Sequence, residues 1–490
     1  MIHYPMDKTI LLIQPRHGTY GISIDPGMPL SLLAIAAPLV ERNYKVLIID
    51  QAADPHWKRS LLSALDSNLL CIGITCKTGS QITHAVKLSE LIKSKSKAPI
   101  VWGGNHATAL PAQTLAYPAI DYVVQGEGEF SFLELISALE AERTAEGIPG
   151  VWYKVNNIPR ANPRRPFCDL DELPPIPYHI IFSRNNTFPR GPGKRINIET
   201  SRGCPYKCTF CYNQYHNLSQ WRAMSAESAL DRIASAIDAF HSRSIFIVDD
   251  NFFFDLQRSK EIAEGMIRMK WNLDWHAQGI DIRSADRMDD TFLKLLRRSG
   301  CGVLKFGVES GSERILKLIN KGISVEQVIR VNRKLSRYDF IPYYSFMCGF
   351  PDETIEELRQ TIELLFTLKK DNPSANTTML YIYSPYPGTD LYNQLETKGV
   401  TFPQRLADWA VMDRYNATRT FIPKDRAKLL EGLSFVSIFL DRESITMVKW
   451  RVVRVLMRLY LFIARWRLRH LNIRMLSEKG FADLIMGREH

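Results

Sequence analysis

Cys204, Cys208 and Cys211 stand in the run Glu199-Thr-Ser-Arg-Gly-Cys204-Pro-Tyr-Lys-Cys208-Thr-Phe-Cys211-Tyr-Asn213, a Cys-x3-Cys-x2-Cys loop with glycine before its first thiol and an aromatic, Phe210, beside its last. Three closely spaced thiolates can ligate three irons of a cubane and leave the fourth iron open, whereas clusters that only carry electrons close with four cysteines. An open iron can take a substrate or a cofactor. Zinc is the competing reading, but structural zinc takes four ligands in paired Cys units. No second pair stands nearby, and His216 would have to serve as the fourth ligand. The other five cysteines, Cys71, Cys76, Cys168, Cys301 and Cys348, are scattered and read as small buried hydrophobes. The start of the chain is polar, and the apolar run 10–13 after it is strand-sized without a cleavage-type flank, so the protein is expected to stay in the cytoplasm. Eight cysteines in that compartment point to metal or redox chemistry rather than to disulfides.

A loop of thiols needs a scaffold to hold it. Apolar runs at 195–200, 244–249, 273–279, 302–309, 341–349 and 379–384 alternate with amphipathic stretches such as 226–240, 290–299, 325–338 and 355–368. Six such units predict an open, partial (β/α)6 barrel with its chemistry at the carboxyl ends of the strands, and the cysteines follow the first of them. Upstream, runs at 9–14, 45–50, 69–75, 99–103 and 120–124 alternate with helical stretches at 30–42, 56–67, 81–94 and 127–141, which predicts a doubly wound, flavodoxin-like parallel sheet. Ligands of such sheets bind where the strands end. Here those ends are 15–30, 75–80, Gly103-Gly104-Asn105-His106 and 125–129. Glycines there let backbone N–H groups approach a bulky or phosphorylated ligand. No Gly-x-Gly-x-x-Gly follows the first strand and no Walker A run occurs, so neither a dinucleotide nor ATP is favoured.

The chain of 490 residues, 45% hydrophobic and 23% charged, has material for several domains and excludes disorder or a disulfide scaffold. The reading is an α/β protein: an amino-terminal domain over 1–141, a Pro-rich linker over 142–194, a partial barrel over 195–395 and a helical carboxyl-terminal region over 396–490.

The cysteine loop resembles the signature of the radical S-adenosylmethionine superfamily, and the six-stranded barrel is the fold that resemblance implies. It implies a 4Fe–4S cluster on Cys204, Cys208 and Cys211, with S-adenosylmethionine chelated to the open iron by its amino and carboxylate groups. Reductive cleavage would then release methionine and a 5′-deoxyadenosyl radical. By the same resemblance Phe210, Asp249, Asp250, Asn251, Gln278, Arg283, Glu309 and Gly349 belong to the S-adenosylmethionine site. Asp249, Asp250 or Asn251 would accept from the ammonium group, and Glu309 from ribose hydroxyls. Tyr383-Ser-Pro-Tyr-Pro-Gly-Thr-Asp390 resembles the segment closing the sixth strand, while Asp352-Glu353-Thr354 also reads as a plain helix cap.

The amino-terminal domain in turn resembles the cobalamin-binding domain fused to one branch of that superfamily, which includes radical methyltransferases and the anaerobic magnesium-protoporphyrin monomethyl ester cyclase. The resemblance covers roughly residues 9–395. It implies a cobalamin site at Pro29, Leu30, Thr75, Gly103, Gly104, Asn105, Gly126, Glu127 and Gly128. The chain lacks Asp-x-His-x-x-Gly after its first strand; Asp54-Pro-His56 follows the second, with Arg59 where glycine would stand. His56 therefore reads as a helix-start residue, and a bound cobalamin would have a lower face unligated by protein. The implied function is methylation of an unactivated carbon. The alternatives are a cyclase or rearrangement enzyme without methyl transfer, and a non-catalytic corrinoid or metal carrier.

The net charge is +11, yet residues 449–474 hold eight Lys or Arg and no acid, so most of the excess belongs to that tail. Nucleic acid is disfavoured, also because a tRNA methylthiolating relative would carry three more cysteines in the first domain, which has only Cys71 and Cys76. In 450–475 arginines at 451, 454, 458, 465 and 469 fall along one helical face, with Val453, Leu456, Tyr460 and Ile463 opposite. The run is too interrupted to span a bilayer. It suits either docking on protein or peripheral contact with the inner membrane surface, with a small-molecule or lipid-like substrate and an electron donor such as flavodoxin or ferredoxin as further partners.

Overall fold

A computed structural model describes residues 8–17, 28–65, 68–182, 188, 191, 194–412, 421–440 and 451–473. Most of the loop 15–30, the segment 189–193 apart from Gly191, Trp450, Arg474, Met475 and the side chain of Val453 lie outside the described residues.

The first sheet contains β1 (Thr9–Gln14), β2 (Lys45–Asp50), β3 (Leu69–Thr75), β4 (Ile100–Gly103), β5 (Tyr122–Val124), β6 (Val151–Val155) and β7 (Ile158–Ala161), in the spatial order β2-β1-β3-β4-β5-β6-β7. The pairs from β2 through β5 are parallel. Parallel strands are covered by helices on both faces and must be apolar throughout. Strand β1 obeys this, with Ile10, Leu11, Leu12 and Ile13 all buried. Helices Leu30–Glu41, Gln81–Lys93 and Glu129–Glu140 supply crossovers close to the predicted bounds.

The Pro-rich stretch after residue 141 is more structured than its composition predicts. Residues 151–161 form the hairpin β6–β7, which adds antiparallel to β5. Its two-residue turn is Asn156-Asn157, both at positive φ (51° and 62°), the mirror-image turn geometry that matches strand twist and that asparagine tolerates. Pro159 is accommodated because β7 is an edge strand.

The second sheet contains β8 (Arg195–Ile198), β11 (Ser244–Ile247), β12 (Asp274–Ile280), β13 (Cys301–Glu309), β14 (Ile341–Cys348) and β15 (Asn376–Ile382), all parallel and in sequential order. Between β8 and β11 lies the two-residue antiparallel pair β9 (Ser201–Arg202) and β10 (Arg222–Ala223). With β8 and β15 on opposite edges, the sheet is an open six-stranded barrel wall. Ser225, Asp255, Asp289, Ser312, Ser324, Thr354 and Thr389 each accept a backbone N–H at a helix start. Thr354 and Glu357 form a full capping box, so the cap read from sequence before residue 355 is real.

The carboxyl-terminal region is helical as expected, and its described parts pack on the barrel and on the first domain. Helix Lys424–Ser437 covers the edge strand β15, and Ser437 Oγ accepts from the Leu380 N–H at 2.7 Å. That donor would otherwise be an open edge group. Residues Leu406–Val411 return to the first domain, where buried Trp409 donates through Nε1 to Gln113 Oε1 at 2.6 Å. Helix Arg451–Arg469 lies outermost, against Lys424–Ser437 and Ile355–Asp371.

Candidate active site

The cysteine loop leaves the barrel wall after β8 and is closed at its base by the β9–β10 pair. Gly203, at φ +81°, opens it: a Cβ there would lie 1.9 Å from Gln220 O, so only glycine fits. Within the loop the Cys211 N–H donates to Cys208 O at 3.0 Å. Thr209 N–H donates to Ile319 O, Leu391 N–H to Thr209 O, and Asn320 Nδ2 to Lys207 O, which pins the loop to the barrel's fourth and sixth units. Arg283, held by Asp281 at 2.7 and 2.9 Å, lies over the Tyr206 ring at 3.4 Å from its centroid.

Burial pushes all three thiols up, Cys204 to about 11 and Cys211 to about 12, with Cys208 opposed by the nearby Lys321 ammonium. Such thiols are neutral at pH 7 until a metal displaces their protons. Asn251 Nδ2 lies 3.5 Å from Cys204 Sγ and Asn213 Nδ2 3.8 Å from Cys211 Sγ, side-chain donors of the kind that tune a cluster through its sulfurs. Among the described residues no three Cys, His, Asp or Glu side chains converge as ligands of a single ion. A tetrahedral zinc requires that convergence, whereas each thiolate of a cubane binds its own iron.

The residues expected around S-adenosylmethionine divide into two groups. Asp249 is fully engaged: the Thr200 N–H, Thr200 hydroxyl and Ser201 hydroxyl all donate to it at 2.7 Å. Asp250 accepts from the Gly203 N–H at 3.0 Å, from the Tyr212 hydroxyl and from Asn217 Nδ2. Both aspartates brace the loop instead of facing a ligand amine, because the turn after β8 aims its donors at them. Asn251 differs. It is buried, its Nδ2 faces Cys204, and its Oδ1 has no hydrogen-bond partner. A buried acceptor without a donor is costly unless a ligand meets it.

Glu309, at φ +72°, is buried and paired with Lys321 Nζ at 3.2 Å. Burial works to lower Lys321, but Glu309 and Cys208 outweigh it and hold the ammonium above its ordinary value. Lys321 Nζ also stands 5.9 Å from the Phe210 ring, which meets Phe350 at 6.1 Å. Phe350 follows Gly349, whose N–H donates to Glu353 at 2.7 Å. Gln278 donates to Val248 O at 3.2 Å, tying the end of β12 to β11. The mouth of the barrel thus gathers the cysteines, Phe210, Asn251 and the Glu309–Lys321 pair on one side.

The first domain meets this mouth with its own strand ends. Gly104, at φ +92°, lets β4 close on β3: a Cβ would fall 2.8–2.9 Å from Cys76 O, Cys76 N and Thr75 Oγ1. After Gly103 and Gly104, helix Asn105–Ala109 packs against helix Asn213–His216, which follows Cys211. Gly126 N–H donates to Thr108 Oγ1, and Arg164 beside it donates to Tyr215 O and His216 O. Pro29 and Leu30 open the first helix, with Pro29 O accepting from Leu32 and Leu33. His56 stands at a helix start, its N–H on Asp54 Oδ1 at 2.7 Å.

Two residues assigned to cobalamin have other work. Glu127 takes Arg222 and, at 3.4 Å, Arg202, while Glu129 takes Arg202 at 2.6 Å and Glu199 takes it at 2.9 Å. This buried ion network joins the two domains, so Glu127 is an interdomain clamp. Burial works to raise Glu129, but Arg202 outweighs it and holds the carboxyl low. Gly128 serves packing, since a Cβ would meet Ile35 Cδ1 at 2.7 Å.

Several residues here were given no individual role from sequence. His106 is buried, with Thr78 Oγ1 at 3.0 Å from Nδ1, Nε2 without a partner and the Trp409 ring 5.8 Å away. Its place beside Asn105 in a strand-end loop was the available signal. Arg164, Arg202, Lys321 and Trp409 carried none.

A match to the Radical SAM superfamily covers residues 198–365, and a match to the B12 binding domain covers 25–136. The chain is a radical SAM enzyme with a B12 binding domain. Those two domains imply a 4Fe–4S cluster with S-adenosylmethionine and cobalamin, and the thiol loop with its open Asn251 acceptor fits the first pair. The relatives of this radical SAM enzyme include a methyltransferase and the anaerobic porphyrin cyclase. It is 29% identical over 439 residues to an uncharacterized methyltransferase of Pyrococcus horikoshii, covering 88% of this chain and 92% of that one. It is 27% identical over 407 residues to the anaerobic magnesium-protoporphyrin IX monomethyl ester cyclase of Rubrivivax gelatinosus, covering 80% and 71%. The cobalamin-dependent S-adenosylmethionine radical enzyme OxsB shares its fold, with a TM-score of 0.75 at 19% identity over 97% of this chain and 75% of that one.

Proposed function

We propose that this chain cleaves S-adenosylmethionine reductively and methylates an unactivated carbon of a small-molecule or lipid-like substrate, with cobalamin as methyl carrier. When bound, the reduced cluster supplies the electron that yields methionine and the 5′-deoxyadenosyl radical, and cobalamin supplies the methyl group. The observation that carries this reading is the packing of helix Asn105–Ala109, after β4, on helix Asn213–His216, after Cys211. The two cofactor loops then stand side by side across the domain junction, as transfer between a corrinoid and a substrate radical requires.

Roles follow for the chain's own groups. Asn251 Oδ1, beside Cys204, accepts from the methionine ammonium. Glu309, neutralised by Lys321, accepts from ribose hydroxyls without placing a net charge beside the thiolates. Phe210 and Phe350 wall the reacting region against water, which protects a radical from quenching. Thr75, Gly103, Gly104, Asn105 and Gly126 remain the cobalamin-facing set, and Pro29 and Leu30 border it. The first domain extends past residue 141 through the hairpin β6–β7, and the limits at 194 and 395 bound the barrel. A flavodoxin or ferredoxin serves as electron donor.

Likeness to the Rubrivivax gelatinosus cyclase supports a second reading, ring closure or rearrangement without methyl transfer. Anaerobic reconstitution with iron, sulfide and cobalamin, followed by assay of 5′-deoxyadenosine and product mass, decides between them. One methyl gained per turnover supports the first reading; substrate consumed with no methyl gained supports the second. Failure to form 5′-deoxyadenosine removes both and leaves a carrier.

A further inference from the structure

We propose that helix Arg451–Arg469 is an interfacial anchor that seats the protein on an anionic lipid surface, independently of what the barrel catalyses. The helix has two apolar faces, and the described residues cover only one. Leu461, Ala464 and Leu468 recur at helical spacing toward the protein, with Ala464 and Leu468 buried, and Tyr460 packs on Phe439 at 4.5 Å. Opposite them Val455, Leu459, Phe462 and Trp466 recur at i, i+4, i+7 and i+11, exposed by 53, 65, 73 and 51%, with Leu456 and Ile463 alongside at 53 and 50%. Six large apolar side chains in one exposed stripe mark an interaction face.

Charge decides what covers it. At about 100° per residue, Arg451, Arg454, Arg458, Arg465 and Arg469 form a row along one border of the stripe, between it and the docked face. The helix contains no acid at all. Arg469 is fixed over the Phe366 ring at 4.5 Å, so the row has a rigid end. A second copy of the chain would bring a second arginine row against the first, whereas anionic headgroups neutralise the row while acyl chains take Leu459 and Phe462. Trp466 suits the headgroup level, where one ring edge is wet. Among the described residues no helix is long and apolar enough to cross a membrane, which agrees with a helix lying in the interface.

Vesicle flotation of the full chain tests this, using phosphatidylcholine vesicles with and without an equal share of phosphatidylglycerol. The wild type is expected to float with the anionic vesicles and to stay behind with phosphatidylcholine alone. Leu459→Glu with Phe462→Glu should abolish flotation. Arg454→Gln, Arg458→Gln and Arg465→Gln together should weaken it on the order of 100-fold and reduce its salt dependence. Four of these five side chains are exposed and Arg454 is half-buried, so circular dichroism and the thermal midpoint should change little. The proposal is overturned by folded wild-type protein that ignores phosphatidylglycerol, or by Leu459→Glu/Phe462→Glu protein that still floats. It is equally overturned if sedimentation shows the stripe joining two copies while vesicles go unbound.

Discussion

Replacing Arg202 by methionine should separate the two domains' contributions to stability and to the cysteine loop. Arg202 is 9% exposed and holds Glu129 at 2.6 Å, Glu199 at 2.9 Å and Glu127 at 3.4 Å. Two unit charges about 4 Å apart at an effective dielectric near 20 attract by roughly 4 kcal/mol. Desolvation offsets much of that in the intact network, but removing the cation alone leaves buried carboxylates without a counter-charge, and such breaks cost about 3–5 kcal/mol. Urea unfolding at pH 7.5 should therefore lose stability on that scale, and limited proteolysis should separate the two domains. The penalty has a defined pH sense. In the wild type Arg202 holds Glu129 below its ordinary value, so the pair's stabilisation is full above that value and is lost as pH falls through the folded one. In Arg202→Met burial raises the orphaned Glu129 and Glu199, which take up protons, so the difference between variant and wild type should shrink toward pH 5. Adding Glu129→Gln should recover part of the loss, a coupling of about 2 kcal/mol in a double-mutant cycle. A loss under about 1 kcal/mol, or one unchanged between pH 7.5 and 5, would show that the network is not what joins the domains.

Asn251→Ala should leave the iron–sulfur absorbance of reconstituted protein intact while weakening S-adenosylmethionine binding about tenfold by calorimetry, and unchanged affinity would remove the ammonium role from its Oδ1. Gly104→Ala adds a Cβ within 3 Å of backbone at φ +92° and should cost about 2 kcal/mol or more in thermal unfolding, with corrinoid retention lost in parallel; a neutral melt refutes the close approach. Glu353, with its side chain 1% exposed, is pushed by burial up to about 7, only partly offset by the Gly349 N–H and by Arg426 at 3.7 Å. Between the ordinary carboxyl value and about 7 the native state keeps a proton that the unfolded chain has released, so stability falls as pH rises through that window. Glu353→Gln keeps the acceptor for Gly349 and should flatten this slope, gaining up to about 3 kcal/mol at pH 8 and nothing at pH 4; an unaltered pH profile would place the titration elsewhere.

The chemistry of this protein was written in local spacing. Three thiols in a Cys-x3-Cys-x2-Cys loop define their own coordination whatever the fold around them, and the alternation of apolar runs with amphipathic stretches specifies parallel strands and crossover helices, because burial on both faces leaves no other pattern. The strand-end glycines were legible for the same reason, since a position such as Gly104 or Gly203 admits no side chain. The hairpin turn at Asn156-Asn157 also carried a local signal, masked by the prolines around it. What the tertiary structure alone decided is which polar groups are already satisfied. Nothing in Val248-Asp-Asp-Asn-Phe252 distinguishes two bracing aspartates from one open asparagine; the donors of Thr200, Ser201, Gly203 and Tyr212, brought in by the turn after β8, do so. Likewise Glu127 reads as a ligand until Arg202 and Arg222, some 75 to 95 positions away, fold against it. Hydrogen-bond capacity is consumed by neighbours in space, so the residues that remain free to bind can be known only once the chain has closed on itself.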